Sequence, residues 1–278
     1  MKEGRGYLTC LIGLPPGGRA AWTAELARGR KGKDAGALRR LGRALSMLGR
    51  GPEAAEAFAK SLALDEKSAE GWAWRGEAHL LAGRREEARR DLDRAVKLAP
   101  QWPWGRLLRA VCLLTEGDPA AAEKELSAAG PTPEAVLVAA LLEGQRGAAQ
   151  KGRDALDPEL EARPTGPLFA VRALLRLGLG DLPGALGDLN KAAELEPSAW
   201  ILMQQADALN RSGFYRPALE ASARAAALIP DSPEPRLQAA NIYFDQAFYP
   251  EALAEMELAV ERRPDDAALL SRRARFHL

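Results

Sequence analysis

The stretch that decides the fold is AEGWAWRGEAHLLAGRREEARRDLDRAVKLAPQW, residues 69–102. Its apolar and small residues recur at spacings of three and four, the period of two amphipathic helices, and Gly83 and Pro100 mark the ends of those helices. Large residues alternate with small ones where two packed helices would touch: Trp72, Gly76, Ala88, Leu92 and Ala95. Small side chains let helix backbones approach closely, and large ones fill the space beside them. The stretch therefore predicts a helix–turn–helix unit.

The same pattern returns along most of the chain at a period close to 34 residues. It predicts seven units and the start of an eighth: residues 35–68, 69–102, 103–132, 133–165, 166–198, 199–232, 233–266 and 267–278. Unit 133–165 fits worst, because Gly152 stands where alanine is expected and Glu159 falls on a packing position. A helix pair cannot bury its apolar faces alone, whereas stacked pairs share one continuous core. We therefore expect a stacked helical array with 133–165 as a degenerate member.

This pattern resembles the tetratricopeptide repeat (TPR), a 34-residue unit with large and small residues at these positions. The resemblance implies an all-α, right-handed α-solenoid over residues 35–278, with residues 1–34 as a small non-repeat cap. It also implies that the first helix of each unit faces a concave groove. Glycines that end several first helices are expected in the left-handed conformation: Gly83, Gly117 and Gly213.

The N-terminal segment differs from the repeats. Residues 7–12 are predicted to form a short buried strand, residues 13–20 a glycine-rich loop and residues 19–30 an amphipathic helix. This order resembles the phosphate-binding loop G-x-x-x-x-G-K-[ST], but Arg19 and Ala20 stand where its lysine and hydroxyl belong. Two hypotheses follow, a nucleotide-dependent regulator and, as the favoured interpretation, a cap over the open end of the solenoid.

Composition narrows the function classes. The chain has 39 basic and 38 acidic side chains, whereas a dedicated nucleic-acid binder carries a basic stripe, so no nucleic-acid partner is expected. A basic cluster between residues 28 and 43 indicates either a solvated face or an anchor for an acidic partner. No apolar stretch is long enough to predict a membrane span, and the two cysteines suit a reducing compartment. We therefore expect a cytoplasmic location.

Residues that carry catalytic chemistry are few and scattered. The two histidines and two cysteines show no metal-ligand spacing, His79 falls on a packing position, and the sequence has no nucleophile-elbow motif. We therefore predict no enzyme activity, no catalytic residue, no metal and no cofactor, and we do not expect a small-molecule ligand.

The expected binding surface is the second half of the groove. The resemblance places these polar side chains of first helices there: Gln204, Asp207, Asn210, Gln238, Asn241, Arg272 and Arg275. Amide groups both donate and accept hydrogen bonds, which suits the backbone of an extended peptide. The alternative interpretation is an ordinary solvated helix face. The first half of the groove, with Trp74, Leu108, Val111, Leu114 and Val171, is predicted to be mostly apolar.

The sequence thus predicts a non-catalytic scaffold that binds a protein or an extended peptide segment. A second hypothesis is that the chain recruits substrates for a larger enzyme, for example a glycosyltransferase or sulfotransferase, whose catalytic domain lies outside these residues. Residues 267–278 start a unit without its second helix, which indicates either a fragment of a longer protein or an end covered by a partner.

Overall fold

The structure is a computed structural model that describes residues 23–24, 26–28, 32–48 and 50–276. Fifteen helices follow one another in residues 35–276: α1 Ala35–Met47, α2 Gly51–Leu64, α3 Ala69–Leu81, α4 Arg85–Leu98, α5 Pro103–Glu116, α6 Pro119–Ala129, α7 Pro133–Gln145, α8 Ala149–Ala162, α9 Gly166–Gly178, α10 Leu182–Leu195, α11 Ala199–Arg211, α12 Tyr215–Leu228, α13 Glu234–Asp245, α14 Tyr249–Arg262 and α15 Ala267–Phe276. The described residues contain no strand, so the predicted all-α class is confirmed. The strand predicted at 7–12 and the loop at 13–20 lie outside the described residues.

Consecutive helices pair into hairpins, which we number 1 (α1–α2) to 7 (α13–α14). Each hairpin packs against the next one, and α15 packs against α14. One continuous apolar core runs through the middle hairpins, from Ala73 in α3 to Ala225 in α12. The α-solenoid expected from the repeat pattern is therefore confirmed, and α7 and α8 form a complete hairpin within it.

The turns follow from local sequence. Side-chain oxygens of Ser68 and Ser198 cap the N-termini of α3 and α11 by accepting the backbone N–H three residues later. Gly83, Gly117 and Gly213 adopt the predicted left-handed conformation, with φ of 75°, 82° and 81°. Hairpin 7 has Ala247 at the equivalent turn position with φ 60°, although this conformation is unfavourable for a residue that carries a Cβ.

The packing of hairpin 4 explains why its sequence departs from the repeat pattern. A Cβ on Gly152 would lie 2.6 Å from the backbone oxygen of Ala140, so α7 and α8 are too close there for the usual alanine. Leu156 and Leu160 supply the buried side chains of α8, while Glu159 is only half-buried and pairs with Arg163, directly after the end of that helix. The degenerate sequence of this unit therefore reflects a closer helix approach and a shifted packing face.

Buried ion pairs recur within the hairpins and were not predicted from the sequence. In hairpins 2, 3 and 5 an arginine of the first helix pairs with a carboxylate 16 residues later on the second helix: Arg75 with Asp91, Arg109 with Glu125, and Arg172 with Asp188. The N–O distances are 2.6, 2.8 and 2.7 Å. These pairs lock the two helices of a hairpin together, which assigns them a structural role.

The solenoid curves strongly. Arg50, in the turn of hairpin 1, lies 3.7 Å from the carboxylate of Asp231, in the connection between hairpins 6 and 7. Because these two points are five hairpins apart along the chain, the array bends far enough to bring its first turn beside its sixth hairpin.

Candidate functional site

The first helices of hairpins 6 and 7 lie side by side with a defined register. The Nδ2 of Asn210 donates to the Asp245 carboxylate at 3.3 Å, and the Nε2 of Gln238 donates to the backbone oxygen of Met203 at 2.7 Å. Both hydrogen bonds connect residues 35 apart. Side chains that are one repeat apart are therefore neighbours across α11 and α13.

This register groups six of the seven predicted site residues into rows along the stacked helices. One row contains Gln204, Gln238 and Arg272, and a second contains Asp207, Asn241 and the backbone position of Arg275. Asn210 lies one helical turn beyond Asp207 on α11. The side chain of Arg275 lies outside the described part of the chain. We call the five residues Gln204, Asp207, Asn210, Asn241 and Arg272 the polar row.

Members of the polar row keep unsatisfied hydrogen-bonding groups. Gln204 and Asn241 are half-buried and Arg272 is exposed, and none of the three makes a side-chain hydrogen bond or ion pair with another described residue. The Oδ1 of Asn210 is shielded from solvent and accepts no hydrogen bond from the described residues. A shielded acceptor without a donor is costly to leave unpaired, so this oxygen favours an incoming donor.

Asp207 gives the polar row a negative charge. Its carboxylate lies 3.8 Å from the guanidinium of Arg211 on the next turn of α11. Desolvation by the surrounding helices raises the pKa of the Asp207 carboxyl, and Arg211 partly opposes this shift, although 53% of the Asp207 side chain stays exposed. At that exposure the ion pair with Arg211 adds little to stability, which leaves the carboxylate available to another partner.

Gln238 differs from the polar row because both ends of its amide are already engaged. Besides the bond to Met203, its Oε1 accepts the hydroxyl of the buried Ser222 at 3.1 Å. The amide of Gln238 therefore connects three helices, α11, α12 and α13, and its role within the protein is to hold hairpin 7 against hairpin 6.

The first half of the predicted groove is closed. The apolar residues expected there are almost fully buried between first helices: Leu108 1%, Val111 1%, Leu114 5% and Val171 0% exposed. Close stacking causes this, since the Nε2 of Gln145 on α7 reaches the backbone oxygen of Leu114 on α5 at 2.9 Å. The apolar surface predicted for this half is thus a core between helices, and these four side chains are inaccessible to a partner.

Charged residues at the start of the groove are paired internally. Glu77 is completely buried and forms an ion pair with Arg43, whose guanidinium lies 5.4 Å from the centre of the Trp74 ring. Burial raises the pKa of the Glu77 carboxyl, against the pull of Arg43. Arg39 in turn pairs with Asp65, at the end of hairpin 1, at 3.1 Å and with Glu70 on α3 at 3.7 Å. Two arginines of the basic cluster predicted at residues 28–43 therefore stabilise the stacking of hairpins 1 and 2.

Reactive groups are shielded in the described structure. Burial raises the pKa of the Cys112 thiol to about 12, so it is a protonated, weak nucleophile at neutral pH. Burial also lowers the pKa of His79, whose Nε2 lies 3.6 Å from the Asp91 carboxylate inside hairpin 2. Within residues 23–28, 32–48 and 50–276, as far as these are described, no three His, Cys, Asp or Glu side chains are grouped to hold a metal ion.

Sequence and structure comparisons identify the repeat. The family model of the tetratricopeptide repeat matches residues 69–102, the stretch that forms hairpin 2. No curated protein sequence matches the chain significantly.

Solved structures with this fold are distant in sequence. A chain of the APC/C hetero-tetramer Cut9-Hcn1 matches 92% of this chain with a TM-score of 0.56 and 17% identity, and the match spans 52% of that chain. A tetratricopeptide repeat protein from Parabacteroides merdae matches 76% of this chain with a TM-score of 0.58 and 18% identity, over 85% of its own length. The human IFIT1 dimer with PPP-AAAA matches 82% with a TM-score of 0.62 and 18% identity, over 59% of its length. The chain thus spans about half the length of the first of these structures.

These similarities establish the fold. Identities of 17 and 18% carry no information about ligands. None of the helices that the structure describes has the length and apolar composition needed to cross a bilayer. The nucleotide hypothesis for residues 13–20 falls outside the described residues and stays a prediction.

Proposed function

We propose that this chain is a non-catalytic scaffold that binds an extended peptide segment along the polar row. Residues 69–102 are a tetratricopeptide repeat, and the fold is that of tetratricopeptide-repeat proteins. The observation that carries the proposal is the contrast along the inner face. Its first half is buried or internally paired, whereas the amides of Gln204 and Asn241 and the Oδ1 of Asn210 have no partner among the described residues.

An extended peptide matches this surface chemically. Its backbone presents one donor and one acceptor at every residue except proline. The amides of Gln204 and Asn241 each offer both kinds of group, and Asn210 offers an acceptor. Neighbouring first helices repeat the row at the spacing of the stacked hairpins, so a segment that crosses α11, α13 and α15 meets a new set of polar side chains on each helix. Asp207 at one end and Arg272 at the other favour a segment with a basic residue near Asp207 and an acidic residue near Arg272.

Charge favours peptide over nucleic acid, even though the IFIT1 neighbours hold PPP-AAAA or m7Gppp-AAAA. Carboxylates of Asp207 and Asp245 lie beside the free amides and repel phosphate groups. The expectation of no nucleic-acid partner therefore stays part of the proposal, as do the cytoplasmic location and the absence of enzyme activity. Recruitment of substrates to a catalytic domain outside this chain would use the same row and is the alternative proposal.

The test is selection of ligands from a displayed library of unstructured peptides, followed by calorimetric titration of the best binder. Asn241→Ala should weaken that binder about 5- to 100-fold, because an unpaired polar group in the interface costs about 1–3 kcal/mol. Gln150→Ala, which removes an exposed amide from α8, is the matched control and should leave the affinity unchanged.

Two results would contradict the proposal. One is a selected peptide whose affinity is the same for wild type, Gln204→Ala and Asn241→Ala. The other is tighter binding of an oligonucleotide of similar length, with a steep loss of affinity as salt rises, since counterion release marks phosphate recognition.

A further inference from the structure

Exposed aromatic side chains are concentrated in the last two hairpins. Among the described residues, every large aromatic side chain that is exposed lies there: Phe214 56%, Tyr215 39%, Phe244 41%, Phe248 55% and Tyr249 54%. An exposed group of this kind on one side of a protein marks an interaction surface, whereas single exposed apolar residues need no explanation. We call these five residues the aromatic edge.

Two equivalent turns build the aromatic edge. Phe214 and Tyr215 open α12, and Phe248 and Tyr249 open α14, one repeat of 34 residues later. A hydrogen bond between Asn210, four residues before Phe214, and Asp245, three residues before Phe248, connects the two turns. Phe244 adds to the second turn, with its ring centre 5.4 Å from that of Tyr249 in an edge-on arrangement.

The fold does not require aromatic residues at these positions. The equivalent pairs that open the second helices of hairpins 2 to 5 contain no aromatic residue: Arg84–Arg85, Asp118–Pro119, Ala148–Ala149 and Asp181–Leu182. Four aromatic side chains at two successive turns are therefore a local feature of hairpins 6 and 7.

Charges around the aromatic edge are arranged asymmetrically. The turn of hairpin 6 carries Arg211 and Arg216, and the turn of hairpin 7 carries Asp245 and Glu251, all four exposed. Arg216 and Glu251 form no ion pair with any residue that the structure describes. A two-fold axis through the edge would place hairpin 6 of one copy opposite hairpin 7 of the other, so each basic turn would face an acidic one.

We propose that the aromatic edge is a two-fold interface with a second copy of this chain. A two-fold interface must be complementary to itself, and a basic aromatic turn beside an acidic aromatic turn satisfies that condition. An aromatic side chain buries roughly 200 Å², so the five exposed fractions leave about 500 Å² per copy and about 1,000 Å² in the pair. That sum reaches about the minimum size of a specific interface.

The experiment is sedimentation equilibrium of the 278-residue chain from about 1 to 100 μM, in the range of transient interfaces. Wild type should show a reversible monomer–dimer equilibrium. Phe248→Asp should weaken it at least tenfold, because it places a charge in the aromatic contact. Leu64→Asp is the matched control, since Leu64 is 62% exposed at the end of hairpin 1 and should leave the dimer unchanged.

Charge reversal tests the two-fold geometry itself. Arg216→Glu alone and Glu251→Arg alone should each be monomeric, because like charges then face each other twice. An equal mixture of the two variants should form a heterodimer, because both contacts regain opposite charges. Both are surface variants, and circular dichroism should show unchanged helix content.

Three results would overturn the proposal. The first is a wild-type chain that stays monomeric at about 100 μM, which would assign the aromatic edge to a different partner. The second is a dimer that Phe248→Asp does not weaken. The third is a mixture of the two charge variants that stays monomeric. Salt of about 1 M should weaken the wild-type dimer and the rescued heterodimer to a similar extent, because each has two contacts between opposite charges that salt screens.

Discussion

Replacing Gln238 with alanine tests whether its amide holds hairpins 6 and 7 together. The substitution removes the hydrogen bond to the Met203 oxygen at 2.7 Å and the one from the Ser222 hydroxyl at 3.1 Å. Each such bond contributes about 0.5–1.5 kcal/mol, so the loss should be roughly 1–3 kcal/mol. We expect the upper part of that range because Ser222 is 1% exposed and its hydroxyl loses its acceptor inside the protein.

The effect should be local. Helix packing in this array is between neighbouring hairpins, so a weakened contact between α11 and α13 frees hairpin 7 and α15 before the rest unfolds. Amide hydrogen exchange should therefore accelerate in α13 to α15 while α3 to α6 keep their protection. Urea unfolding gives the total free-energy change.

Asn241→Ala is the matched control on the same helix. Asn241 makes no hydrogen bond with another described residue, so its replacement should change stability by less than about 0.5 kcal/mol. Equal losses of stability in the two variants, or unchanged amide exchange in α13 of Gln238→Ala, would refute the conclusion that Gln238 holds α13 against α11.

Three further predictions follow from single contacts. Ala247→Gly should raise the free energy of unfolding by about 0.5–1 kcal/mol, measured in urea, because it relieves a left-handed residue with φ 60°. Burial lowers the pKa of His79, so the unfolded chain binds a proton at this histidine more readily than the folded one, and stability should fall as pH drops below about 6.5. His79→Gln should reduce this dependence of stability on pH, measured by thermal melts at pH 5 to 8. Asp188→Ala should cost about 3–5 kcal/mol, because Asp188 is 2% exposed and Arg172 would lose a paired carboxylate, whereas removal of the half-exposed Asp157 carboxylate should cost under about 1 kcal/mol.

Local sequence carries most of the fold. Alternation of large and small residues, capping serines and left-handed glycines all act within one hairpin, so residues such as Leu92, Ser68 and Gly83 indicate the helices and turns directly. The sequence predicts unit 133–165 only as a degenerate repeat. It does not predict the closer approach of α7 and α8 at Gly152, because a single sequence does not reveal the distance between two helix backbones.

The candidate site depends more on contacts between hairpins. The repeat position predicts that Gln238 and Asn241 both face the groove. It does not reveal that Gln238 bonds to the preceding hairpin whereas Asn241 has free groups. Likewise Leu108 and Val111 fit an apolar groove by position, but adjacent first helices pack tightly enough to bury them. The aromatic edge did leave a signal in the sequence, since Phe-Tyr occurs at 214 and again at 248, one repeat apart.

The most direct test of the central claim is photo-crosslinking of a selected peptide. A photoreactive amino acid placed at residue 207, in the polar row, should crosslink the peptide in proportion to its occupancy, and Asn241→Ala should reduce the yield. The same amino acid at residue 220, exposed on the second helix of hairpin 6, should give only background. Crosslinks that arise from residue 220 and not from residue 207 would contradict the account, because the peptide would then bind outside the groove.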